Sequence, residues 1–216
     1  MKIEYFGHSC VRLTAADGTR ILIDPFDGIG YPMPRVRADI VLCTHGHFDH
    51  HYTEGVEGAR EVIEAVGSYD RGGVRIEGIA SCHDDRGGSK RGKNVIFVVD
   101  DGQARVCHMG DIGELPRADL LRAIGQVDLL FVPVGGTYTV DAEGALAYID
   151  AARPRTAMAI HYCCPGCTLD IAPVERFCAL AGSRCVRLNV SAFDTGSLAR
   201  YAGKILVAER GSDAGE

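Results

Sequence analysis

Thr44-His45-Gly46-His47-Phe48-Asp49-His50-His51 holds four of the eight histidines in the chain, with an aspartate among them. Neutral imidazole is the commonest side-chain ligand for zinc-like ions, and a carboxylate completes such sites. The run follows Ala38-Asp39-Ile40-Val41-Leu42-Cys43, an apolar stretch that reads as a buried strand. The histidines therefore stand where a strand gives way to a loop, the usual place for ligands in α/β proteins. His45 and His47 can reach one ion, and Asp49 and His50 can turn toward a second. Two-metal hydrolases hold their ions about 3.5–4 Å apart so that both share one hydroxide. A surface tract that binds metal adventitiously would need neither the internal aspartate nor the preceding strand.

Upstream of this run, residues 3–6 and 10–13 alternate like two strands around Gly7-His8-Ser9, and Asp17-Gly18 signals a turn before Ile21-Leu22-Ile23. Pro25 ends that third strand because it cannot donate to a ladder. A Gly- and Pro-rich loop follows over 27–37. Downstream, residues 58–66 predict a short helix, and 74–80 a strand ending at Ser81-Cys82-His83. Residues 95–99 and 105–108 form a hairpin across Asp101-Gly102, and Pro116 opens a helix running to Ile124. Strands are expected at 129–134 and 156–160, with a helix from Ala142 to Ala152 capped by Asp141 between them. A helix over 171–181, closing strands at 186–190 and 204–208, and a frayed tail at 211–216 complete the chain. This order fits a single α/β (α+β) domain over 1–210, a four-layer αββα sandwich of two mixed β-sheets with outer helices. A single doubly wound sheet is the competitor, and the β-meander opening speaks against it.

Three further polar residues stand at strand ends. His83 would complete three imidazoles with His45 and His47, His161 would join Asp49 and His50, and Asp111 could bridge both ions. The expected metal ligands are thus His45, His47, Asp49, His50, His83, Asp111 and His161. His108, three residues before Asp111, is the rival to His83 and is expected to support the site instead. Asp24 is expected to orient a ligating histidine. His8 either does the same or only stabilises its turn. His51 faces solvent or the outer edge of the site.

The H-x-H-x-D-H pattern formed by His45, His47, Asp49 and His50 resembles the signature of the metallo-β-lactamase superfamily. Gly7-His8-Ser9, Leu22-Ile23-Asp24-Pro25, Gly110-Asp111, Gly135-Gly136 and His161-Tyr162 look like the branch of ascorbate-6-phosphate lactonase and related metal-dependent hydrolases. The resemblance runs from the N-terminus to about Tyr162. It implies the metallo-β-lactamase αββα fold and two divalent ions, zinc first, with manganese or iron as alternatives. The expected reaction is cleavage of an ester, lactone or phosphoester by a hydroxide shared between the ions, with Asp49 and His161 as candidate catalytic residues. Ser81-Cys82-His83-Asp84-Asp85 replaces the G-H-T-x-G motif of the β-lactamases, which argues against antibiotic hydrolysis. His47 takes the glutamate position of the diiron oxygen reductases, which argues against redox chemistry.

Composition narrows the partners. The chain has 216 residues, 46% hydrophobic and 24% charged, ordinary values for a globular protein. No apolar run approaches the roughly 20 residues of a membrane span, and the N-terminus lacks a secretion signal, so a cytoplasmic location is expected. A formal charge of −6 disfavours long nucleic acid but not a short anionic substrate. The basic run Arg86-Gly87-Gly88-Ser89-Lys90-Arg91-Gly92-Lys93 is either a solvated hairpin or a dock for a substrate phosphate or carboxylate. In the second case Arg86, Lys90 and Arg91 make the contacts, and Tyr138 donates a hydrogen bond. Homo-oligomerisation is left open. A phosphodiesterase or nuclease of the same superfamily, and a non-catalytic metal- or redox-responsive binding protein, are the alternatives.

Nine cysteines are present. Cys10, Cys43, Cys82 and Cys107 read as small buried hydrophobes. Cys163, Cys164, Cys167, Cys178 and Cys185 could be reduced thiols, a second metal site or a reversible disulfide, with Cys164 and Cys167 the first pair to test.

Overall fold

The computed structural model describes residues 1–211, so the expected tail lies, Gly211 apart, outside the described residues. Gly211 itself is buried and donates its N–H to Tyr5 O at 2.9 Å. In chain order the strands of the first half are β1 (Lys2–Gly7), β2 (Cys10–Thr14), β3 (Arg20–Ile23), β4 (Val36–Arg37), β5 (Ile40–Leu42), β6 (Val56–Glu57) and β7 (Glu61–Ile63). Then come β8 (Gly67–Arg71), β9 (Val74–Cys82), β10 (Lys93–Asp100), β11 (Arg105–His108), α1 (Ala118–Ile124), β12 (Leu129–Pro133) and α2 (Ala142–Ala152). The chain closes with β13 (Thr156–Ile160), α3 (Val174–Ala181), β14 (Cys185–Arg187), β15 (Ala192–Asp194) and β16 (Ile205–Val207).

Two mixed sheets result, one of six strands in the order β15-β1-β2-β3-β5-β7 and one of eight in the order β14-β16-β13-β12-β11-β10-β9-β8. β4 and β6 form a small parallel pair of their own. The two large sheets share one hydrophobic core, to which β1 to β3 contribute Ile3, Tyr5, Val11, Leu13, Ile21 and Ile23. These are alternate positions, as a period of two requires. Phe6, Cys10 and Leu22 point the other way, into a second cluster with Phe26, Ile29, Tyr31, Val36 and Ala38. The Gly- and Pro-rich loop after β3 therefore covers the outer face of the first sheet, and each large side chain it buries contributes roughly 1.5–3 kcal/mol. On that face Glu4 and Arg12 stand opposite each other in register and pair through two 2.9 Å contacts.

Among the described residues the α-helices all follow β11. α1 packs on β9, and α2 packs on β12 and α3. Asp141 caps α2 as expected, accepting from Gly144 N at 2.9 Å. The helix expected over 58–66 is instead the strand β7, parallel to β5 with Val41 opposite Val62. Only Ile63 turns inward there, while Val62 and Val66 are exposed, so the apolar residues never formed a helical stripe. β8 and β15 are short and half exposed, and no apolar alternation marks them in the sequence.

Candidate metal centre

Six strand ends deliver the site. His8 follows β1, Asp24 follows β3, and residues 45–50 follow β5; these strands belong to the first sheet. His83 follows β9, Asp111 lies beyond β11 and His161 follows β13, all in the second. His8, Asp24 and His161 hold left-handed backbone at φ 51°, 51° and 52°. Such conformations cost on the order of 1–3 kcal/mol each and concentrate at functional sites.

The side chains converge in three overlapping groups whose donor atoms lie within 4.8 Å of one another: His45, His47 and His83; His45, His50 and Asp111; and His8, Asp49, His50 and His161. All seven residues expected as ligands thus come together. Asp111 stands between the groups, with Oδ1 3.3 Å from His50 Nε2, and Oδ2 3.1 Å from His161 Nε2 and 3.4 Å from His83 Nε2. His8 does more than brace its turn. Its Nε2 lies 3.2 Å from both Asp49 Oδ2 and His50 Nε2, inside the cluster.

The donor set suits divalent cations. His45 Nε2 and both ring nitrogens of His161 are buried without an aligned hydrogen bond. An unsatisfied buried polar atom costs about 1–3 kcal/mol, a penalty that coordination removes. Imidazoles with interspersed carboxylates are the ligands of zinc-type sites.

Neighbouring groups hold these side chains in place. Asp24, fully buried, accepts from Thr44 N at 2.8 Å, Thr44 Oγ1 at 2.9 Å and His50 Nδ1 at 2.9 Å. With Nδ1 held by Asp24, Nε2 is the ring nitrogen of His50 that faces the cluster. His108 stays outside it, donating from Nε2 to Ser9 O at 2.8 Å and accepting from Gly110 N at Nδ1. His51 pairs with Glu64 at the surface. Asn94 was not singled out in the sequence. Its Oδ1 accepts from Asp111 N at 2.9 Å while its Nδ2 donates to Met109 O. A side chain on Gly110 (φ 54°) would meet Asn94 Oδ1 at 2.4 Å and Thr44 Cβ at 2.6 Å, so this turn requires glycine. The available signal was an amide at the start of an apolar strand.

Charge is distributed unevenly. Burial and the neighbouring His161 push His8 down to about 4, against the pull of Asp49. Burial and His50 push His45 down to about 3. Burial also opposes charge on His50, yet Asp111 and Asp24 raise it well above the ordinary imidazole value. Burial works against ionised Asp111, but His161 and His50 hold it well below the usual carboxylate range. Burial thus disfavours charge on His8, His45 and His83, while their neighbours keep Asp49 and Asp111 ionised; neutral imidazoles and ionised carboxylates are the forms that bind cations.

Beside His83, the loop over 84–92 folds around one carboxylate. Asp84 accepts the backbone N–H groups of Arg86, Gly88, Lys90 and Arg91 at 2.7–2.9 Å. Burial would raise it, and these four donors outweigh burial and hold it well below the ordinary range. Arg91 reaches across to Thr137 O at 2.7 Å and lies over the Tyr138 ring. Asp84, Arg91, Gly113, Leu115 and Tyr138 line a recess of about 360 Å³. The Arg86 and Lys90 side chains are exposed on the same loop.

Comparison with known proteins identifies the family. A family model described as the beta-lactamase superfamily domain matches residues 2–161. A protein of Thermoplasma acidophilum named as a UPF0173 metal-dependent hydrolase is 29% identical over 212 residues, 85% of this chain and 92% of its own. A Thermus thermophilus protein of the same designation is 32% identical over 192 residues, 75% of this chain and 84% of its own. The crystal structure of a Thermotoga maritima protein placed in the metallo-β-lactamase superfamily superposes with a TM-score of 0.77 at 31% identity, covering 96% of this chain and 97% of that one.

Proposed function

This chain belongs to the beta-lactamase superfamily and is a metal-dependent hydrolase, and from that premise we propose that it holds two divalent ions and cleaves an ester, lactone or phosphoester of a small anionic substrate. The observation that carries the reading is the convergence of His45, His47 and His83 on one side of Asp111 and His8, Asp49, His50 and His161 on the other. When bound, the ions would acidify water between them and polarise the substrate oxygen. Asp111, with Oδ2 near both His83 and His161 and Oδ1 near His50, would hold both halves in register. Asp49 would ligate and accept the proton released as water attacks, and His161 would support the same side. Zinc suits this imidazole-rich set, and manganese or iron remains an alternative.

In the recess lined by Asp84, Asp85, Arg91, Tyr138 and Asp141, the Arg91 guanidinium, braced on a carbonyl and a ring, is the group that could meet a phosphate or carboxylate. Arg86 and Lys90 would add charge at its rim. We read residues 1–210 as one unit, since the ligand-bearing strands are drawn from both sheets. Among the described residues no helix is long and apolar enough to cross a membrane.

The test is metal-reconstituted protein assayed on model esters, lactones and phosphodiesters, with chelation as the control. Turnover should appear on part of the panel and vanish in His47→Ala and Asp49→Ala. Full turnover in either variant would sink the assignment. An inert protein that still binds two ions would favour a binding role.

A further inference from the structure

All nine cysteines are free. Two of them nearly touch. Cys185 Sγ lies 2.8 Å from Cys178 Sγ, less than an ångström beyond the roughly 2.05 Å of a disulfide bond. The two sulfurs sit on independently anchored elements. Cys178 belongs to α3, which is seated by the buried Val174, Phe177 and Ala181. Cys185 opens β14, the edge strand of the eight-stranded sheet, in register with Ile205. Arg187 and Glu175 join the same two elements through a 2.9 Å ion pair. Both cysteines are partly exposed, so a small reagent can reach them.

We propose that Cys178 and Cys185 are a modification site, a dithiol that a low-molecular-weight disulfide converts into an intramolecular bond joining α3 to β14. One cysteine thiolate attacks the reagent disulfide, forming a mixed disulfide and expelling one small thiolate. The second cysteine attacks the protein sulfur of that mixed disulfide and expels the other. The two protein thiols are oxidised, the reagent is reduced to two thiols, and these carry away both protons. Val174 and Glu175 of α3 and Arg187 of β14 line one cavity of about 840 Å³ that also includes Tyr162, next in sequence to His161. The bond therefore fixes two walls of that cavity against each other.

The experiment treats the full-length protein with oxidised glutathione under conditions that fully oxidise a control dithiol protein. Remaining thiols are then alkylated and the chain is digested with trypsin without reductant. Cleavage after Arg176, Arg184 and Arg187 separates the two cysteines onto different peptides. The expected product is those two peptides linked, 2 Da below their summed mass and separated again by dithiothreitol. Closure of so short a loop should raise Tm by about 5 °C in wild type and not in Cys178→Ser or Cys185→Ser. Circular dichroism identifies a variant that fails to fold, and peptide mapping of the wild type decides independently of it. Both peptides recovered alkylated, a glutathione adduct that never closes, or a bond from either cysteine to Cys163, Cys164 or Cys167 would each overturn the proposal.

Discussion

The backbone N–H of His161 donates to the carbonyl oxygen of His8 at 2.8 Å, and the two imidazoles lie 4.2 Å apart between ring centroids. One residue ends a strand of the second sheet and the other turns the first hairpin of the first sheet. Tyr5 secures the same carbonyl by donating its hydroxyl at 3.1 Å. The joint between the sheets therefore adjoins the candidate metal centre. His8→Ala keeps these backbone bonds but removes the ring nitrogen beside Asp49 and His50. Metal affinity on that side should fall roughly 10–100-fold. Metal titration followed by elemental analysis checks this, and unaltered affinity for both ions would return His8 to a turn-bracing role.

Asp24 touches no expected substrate position, yet it holds Thr44 and His50 together. Asp24→Ala frees His50 to rotate and leaves the Thr44 N–H unsatisfied in the interior. We expect a 10–100-fold loss in metal affinity and a destabilisation of about 1–3 kcal/mol. Urea melts of the chelated protein isolate the second effect, while competition with a chromogenic chelator reads the first.

Asp84 organises a loop rather than a reaction. Asp84→Ala removes the acceptor for four backbone N–H groups and releases residues 86–91. Trypsin should then cut at Arg86, Lys90 or Arg91 faster than in wild type. For an anionic substrate KM should rise about tenfold with a smaller change in kcat, since binding contacts common to ground and transition states appear in KM. A kcat loss with constant KM would place the loop in the chemistry instead.

Acid stability should show the Glu4–Arg12 pair. Burial raises Glu4, but the bonds from Arg12 and Lys2 prevail and leave it below its ordinary value of 4.5. A depressed carboxyl stabilises the folded state above its unfolded pKa and loses that contribution as pH falls through the folded value. Glu4→Gln should cost about 2 kcal/mol at pH 7, the size of a hydrogen bond to a charged group. The gap between variant and wild type should persist down to about pH 5 and narrow below 4.5. Thermal melts across this range suffice; a gap that widens toward acid would contradict the assignment.

Most of the site was legible because ligands occur where buried strands stop, and runs such as 38–43, 129–134 and 156–160 announce themselves by apolarity. His83, Asp111 and His161 were placed from their strand-end positions together with the incomplete ligand sets of the 45–50 run. The ring of His8 could not, because its direction depends on the register shift between Tyr5 and Gly7 and on contact with the other sheet. Asn94 was invisible for a different reason, since it acts through the backbone of Asp111 rather than through an ion. The helix expected at 58–66 failed because parallel pairing with β5 is non-local, and local residue preference overruled it in the reading. The covering loop after β3 was read as a connection, whereas its Phe26, Ile29 and Tyr31 form a core of their own.

The donors of the candidate centre are scattered from residue 8 to residue 161, those up to His50 on strand ends of the first sheet and those from His83 onward on strand ends of the second. The first sheet alone brings His8, His45, His47, Asp49 and His50, and each of the three groups is completed only by His83, Asp111 or His161 from the second. On the proposed reading, a complete donor set would exist only after the two sheets have docked, so that full loading would follow closure of the chain. A molecule misassembled anywhere along that span would stay uncharged and inert.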